Sequence, residues 1–105
     1  MNVAIIVASG KGARMNVEES KQFLPLLDKP LLSYSIDAFE RCSFFENIIV
    51  VVNEEEINKC KKLVVEENFK KVTKVVAGGK KRQDSVANGL FFLPPEATIV
   101  AIHDG

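Results

Sequence analysis

Four apolar runs of strand length, separated by segments with helical periodicity, constrain this chain more than any other feature. Asn2 to Ala8 (NVAIIVA) is continuous and rich in Val and Ile. It reads as a central parallel strand covered on both faces. Asn47 to Val52 (NIIVVV), Val72 to Ala77 (VTKVVA) and Thr98 to Ile102 (TIVAI) read as three more strands. Between the first two, Pro30 suits the first position of a helix. Leu32, Ile36 and Phe39 then form one apolar stripe, ending near Cys42 and Ser43. Glu54, Glu55 and Glu56 open a second helix, where acidic groups favour the positive end of the dipole. Its stripe is Ile57, Cys60 and Val64, with Lys59, Lys61 and Lys62 on a solvated face. A third helix carries Val86, Leu90 and Leu93 and is stopped by Pro94 and Pro95. Residues 9–23 show no helical period. The segment from Phe23 to Pro30 looks like a short extended piece and a turn. The order is therefore β, loop, α, β, α, β, α, β, which means an α/β fold with a parallel sheet and helices on its faces.

Length and charge narrow the functions available. A chain of 105 residues makes one small domain at most. Fourteen basic residues balance fourteen acidic ones, which argues against bulk nucleic-acid binding. No apolar run approaches the ~20 residues of a membrane-spanning helix, and the first residues show neither a basic region followed by a long apolar core nor a Ser- and Arg-rich composition. The chain reads as cytoplasmic, with no membrane partner. Cys42 and Cys60 fall within helical patterns and read as packed free thiols, not as a disulfide or metal pair. A single histidine, His103, rules out most His-based metal sites, and beside a strand it reads as packed or hydrogen-bonded.

Loops that follow the strands of a parallel sheet share one edge, and ligands bind there. Three marked features fall on that edge: Ser9-Gly10-Lys11-Gly12-Ala13-Arg14 after the first strand, Gly78-Gly79-Lys80-Lys81-Arg82 after the third, and Asp104 after the fourth. Glycines let backbone N–H groups approach an anion, and the cations add charge. The first loop is no dinucleotide fingerprint, because Met15 stands where a third glycine is needed. No G-x-x-x-x-G-K-[ST] occurs, so it is no P-loop. Taken singly, each feature has a plain reading: a flexible connection, a surface Lys21, a turn at Gly78-Gly79, and a first-turn Ser85 satisfying backbone donors. Together they suit a metal-bound polyphosphate. A lone carboxylate such as Asp104 fits Mg²⁺, which takes one or two carboxylates plus phosphates and water.

The motifs V-A-S-G-K-G-A-R-M, K-Q-F-L-P-L, K-P-L-L-S-Y-S-I, G-G-K-K-R-Q-D-S-V-A-N-G-L and I-H-D-G occur in that order. This pattern closely resembles the 2-C-methyl-D-erythritol 4-phosphate cytidylyltransferases of the non-mevalonate isoprenoid pathway, from Asn2 to Gly105. Ser9 stands where the family more often has Ala, and Lys80 where some members are acidic. The resemblance implies a three-layer, Rossmann-like nucleotidyltransferase fold with a mostly parallel sheet, incomplete here at four strands and three helices. Family members are roughly twice as long. No helical pattern follows the fourth strand to cover it, and residues 1–105 are expected to be the N-terminal, nucleotide-binding half of one domain.

The implied reaction joins CTP and a sugar-alcohol phosphate, methylerythritol phosphate, to give CDP-methylerythritol and pyrophosphate. By resemblance, Arg14 and Lys21 are the catalytic cations. Ala8, Ser9, Gly10, Lys11 and Gly12 wrap the nucleotide with backbone groups, Gly79 and Ser85 lie near cytosine and ribose, and Asp104 with Gly105 beside it holds Mg²⁺ or the ribose–phosphate region. A homodimer is implied at full length, and the 105-residue chain alone is expected to be inactive. Ribitol-5-phosphate cytidylyltransferase shares several of the motifs, and a non-catalytic nucleotide-binding half-domain is the alternative from another class.

Overall fold

A computed structural model describes residues 1–9, 25–26 and 29–104. The sequence-predicted residues Gly10, Lys11, Gly12, Arg14, Lys21 and Gly105 lie outside them. Four strands form one parallel sheet: β1 (Asn2–Val7), β4 (Asn47–Val52), β5 (Val72–Ala77) and β6 (Ile99–Asp104), in the order β5-β4-β1-β6. The two central strands, β1 and β4, are the ones with unbroken apolar runs, and from their second residue onward both are buried throughout. Two-residue strands β2 (Pro25–Leu26) and β3 (Lys29–Pro30) pair antiparallel, where the sequence suggests an extended piece and a turn.

The helices sort onto the two faces. Alternate residues of the sheet, Ala4, Ile6, Ile48, Val50 and Val52, pack against Leu32 and Ile36 of α1 (Leu31–Glu40) and Cys60 and Leu63 of α2 (Ile57–Glu66). The intervening set, Val3, Ile5, Val7, Ile49 and Val51, meets Val86 of α3 (Arg82–Phe91) and Leu93 just beyond it. The period-2 alternation of a strand thus yields the three layers that alternating β and α segments imply. A 3₁₀ turn, Glu54–Glu56, leads into α2. Burial of Cys60, helped by the nearby Glu56 carboxylate, pushes its thiol up to about 12, so it packs as an apolar group. Among the described residues, no helix is long and apolar enough to cross a membrane.

Three details depart from the sequence reading. Pro30 is not the first helical residue. It caps α1 from an extended conformation (φ −58°, ψ 146°), because it pairs with Pro25 in the small hairpin. Helix α1 ends at Glu40, short of Cys42. In α3 the buried positions are Ser85 and Gly89, while Leu90 is exposed. A Cβ on Gly89 would lie 2.9 Å from Ile5 Cγ2 and 3.2 Å from Val51 Cγ2. The helix therefore sits close on the sheet through its small residues, and Leu90 turns outward.

Candidate nucleotide site at the C-terminal sheet edge

The register brings the strand ends level. Val7 pairs with Val51 and with Asp104, and Val52 pairs with Ala77. Beyond the strands, Ala8 N–H donates to Val51 O and Gly78 N–H to Val52 O, each at 2.7 Å. The residues after β1 and β5 are thus held by the sheet's own ladder. Ala8, Ser9, Gly79, Ser85 and Asp104 all fall on this one edge.

Three of them meet directly. Ser9 Oγ and Ser85 Oγ are 2.6 Å apart, and Gly79 N–H donates to Ser85 Oγ at 3.1 Å. Ser85 is fully buried and Ser9 partly so. Gly78 makes the contact possible: a Cβ there would overlap Ser9 and would lie 2.6 Å from Ser85 Oγ. Helix α3 is aimed at the same place. The Asp84 carboxylate accepts from Lys81 N–H at 3.2 Å, which satisfies the backbone donor of the N-cap residue. Asn88 Nδ2 donates to Ala77 O at 2.9 Å, fastening the helix to the end of β5.

Asp104, across β1, is exposed, and its Oδ1 accepts from Arg82 Nε at 2.8 Å. Arg82 is the first residue of α3, so this ion pair spans the strand ends of β5 and β6. Sequence reasoning placed Arg82 in the cation loop but gave it no site role; only the tertiary fold shows its partner. His103 is exposed, with an edge-on ring contact to Phe39 at 5.4 Å between centroids. Among the described residues no group of three or more His, Cys, Asp or Glu could hold a metal. A single carboxylate with one oxygen paired to Arg82 still suits Mg²⁺, whose remaining ligands come from phosphates and water.

A parallel sheet whose strand-end loops converge on a hydroxyl pair and a carboxylate has the frame of a nucleotide-binding α/β domain, the nucleotidyltransferase class among them. Comparison with known proteins defines it further. Residues 2–105 match the model of the family "IspD: 2-C-methyl-D-erythritol 4-phosphate cytidylyltransferase". The chain is 48% identical over 106 residues to the protein of that name from Clostridium acetobutylicum, covering 100% of this chain and 46% of the relative. It is 51% identical over 102 residues to one from Clostridium botulinum, covering 97% and 45%. The crystal structure of a 4-diphosphocytidyl-2C-methyl-D-erythritol synthase from Anaerococcus prevotii superimposes with a TM-score of 0.80 at 27% identity, covering 98% of this chain and 42% of that one. The chain therefore belongs to the 2-C-methyl-D-erythritol 4-phosphate cytidylyltransferase family, and it spans less than half the length of these relatives.

Proposed function

We propose that the full-length protein transfers CMP from CTP to 2-C-methyl-D-erythritol 4-phosphate, releasing pyrophosphate, and that residues 1–105 are its nucleotide-binding half. The observation that carries this reading is the meeting of Ser9, Gly79 and Ser85 at one sheet edge with Asp104, in a chain of this family. The attacking group is a phosphate monoester oxygen, already anionic near neutral pH, so no general base is required. The obstacle is charge: an anion approaches a triphosphate while charge builds on the α-phosphoryl and on the leaving pyrophosphate. Catalysis is then mostly positioning and neutralisation. That fits a site of glycines, cations and one carboxylate, with no activated nucleophile.

In this reading Arg14 and Lys21 neutralise the transition state, Arg with a planar fork and Lys with a compact charge. Ala8, Ser9, Gly10, Lys11 and Gly12 wrap the nucleotide with backbone groups, while Gly79 and Ser85 address the base and ribose. Asp104, with Gly105 beside it, would hold Mg²⁺, which supplies further charge neutralisation. The protein works in the cytoplasm, as a homodimer at full length. The test is direct. The full-length protein, given CTP and methylerythritol phosphate, should form CDP-methylerythritol, and Lys21→Ala or Arg14→Ala should each lose roughly 10²–10³ in kcat. Turnover with ribitol 5-phosphate in place of methylerythritol phosphate, or unchanged kcat in both variants, would overturn it.

A further inference from the structure

The hydroxyl that would address the nucleotide is already engaged inside the protein. Ser85 Oγ has no exposed surface. A serine hydroxyl has one hydrogen to donate and two positions at which to accept. One acceptor position is filled by Gly79 N–H at 3.1 Å. The 2.6 Å contact with Ser9 Oγ takes either the hydrogen or the second acceptor position. One position on the hydroxyl stays open, but Ser85 has no exposed surface, so a ligand atom can reach it only by displacing a neighbour. Gly79 N–H is backbone and is held by the turn after β5. Ser9 Oγ turns about a single side-chain bond, and Ser9 is only partly buried, so its hydroxyl can pass to water when released.

Resting on the cytidylyltransferase reading, in which Ser85 addresses the nucleotide, we propose that the Ser9 side chain is an internal competitor for Ser85. That side chain closes on Ser85 Oγ and must turn away before the nucleotide can reach that buried hydroxyl. Apparent affinity for CTP is then the intrinsic affinity multiplied by the fraction of molecules in which Ser9 has turned away. Gly78 belongs to the same device, since only the absence of a Cβ there lets the two hydroxyls meet.

Removing the competitor should strengthen binding, which loss of a merely structural contact would not do. One net hydrogen bond corresponds to about a two- to tenfold change in affinity. Calorimetric titration of CTP with Mg²⁺ into the full-length protein is the experiment, with Ser9→Ala as the variant. Ser9→Ala should bind CTP about two- to tenfold more tightly than the unaltered protein. Equal or weaker binding by Ser9→Ala would overturn the inference. Absence of CTP binding by both proteins would overturn the cytidylyltransferase reading itself, and the inference with it.

Discussion

Gly78→Ala is the most informative single change at the sheet edge. Gly78 does not have a positive φ, so alanine meets no backbone penalty, and the effect isolates the space taken by one methyl group. That methyl would overlap Ser9, with Ser9 Cβ 2.5 Å away, and would lie 2.6 Å from Ser85 Oγ. Ser85 cannot move aside freely, because it is fully buried in the first turn of a helix packed on the sheet. Overpacking of this kind costs about 1–3 kcal/mol. Parting Ser85 from Ser9 and Gly79 adds about 1 kcal/mol. Restricting the unfolded chain returns only ~0.4–1 kcal/mol. The net loss is therefore about 1–4 kcal/mol. At an m-value of ~1 kcal/mol/M for a small domain, the urea midpoint should fall by roughly 1 M or more. Adding Ser9→Ala should recover part of the loss, since it removes Ser9 Oγ but leaves its Cβ in the way. A Gly78→Ala protein with an unchanged midpoint would refute the reasoning, because the hydroxyl pair would then not be packed against that glycine.

Other expectations follow from the same geometry. Gly89→Ala sets a helix-propensity gain of about 1 kcal/mol against overpacking on fully buried Ile5 and Val51, about 1–3 kcal/mol. A thermal midpoint lowered by a few degrees is expected, and a raised one would contradict the close approach of α3. Asp104→Asn breaks an ion pair whose side chains are 58% and 67% exposed, so stability should change by less than ~1 kcal/mol while turnover of the full-length protein falls by roughly 10². The Cys60 thiol, raised from 9.0 to about 12, stays protonated when folded at pH values where the unfolded thiol ionises. Its contribution is complete below about pH 9 and is lost as pH rises from there toward 12, which urea titrations at stepped alkaline pH would show. In the native protein a thiol reagent should label Cys42 before Cys60, since only Cys60 is fully buried.

Much of the fold was legible in the sequence, for identifiable reasons. Strands β1 and β4 announce themselves by unbroken Val and Ile because both faces are covered. Helices α1 and α2 bury large residues at helical spacing, and Leu32, Ile36 and Cys60 stand where the stripe put them. Helix α3 was legible as an element and in part as a face: Val86 and Leu93 pack on the sheet as the stripe predicts, while Leu90 turns outward. Its closest approach is through Ser85 and Gly89, small residues that no apolar stripe reveals. The start of α1 was misread because the preference of proline for the first helical position competed with the β2–β3 pairing, and pairing prevailed. At the site, the alignment of Ser9, Gly79 and Asp104 along one edge followed from strand–loop order alone. The Ser9–Ser85 hydroxyl pair joins residues 76 positions apart and Arg82–Asp104 joins residues 22 apart. No local pattern encodes either contact; each depends on the parallel register that levels the strand ends.

The central claim is that this sheet edge is where CTP binds, and amide hydrogen exchange with and without CTP and Mg²⁺ tests it most directly. Protection in the full-length protein should concentrate at Ala8 and Ser9, along Gly79 to Ser85, and at Asp104. The account would be contradicted if those amides exchanged unchanged while protection appeared elsewhere, such as along Lys61 to Val65 and Val72 to Val75, where α2 and the edge strand β5 line an open groove.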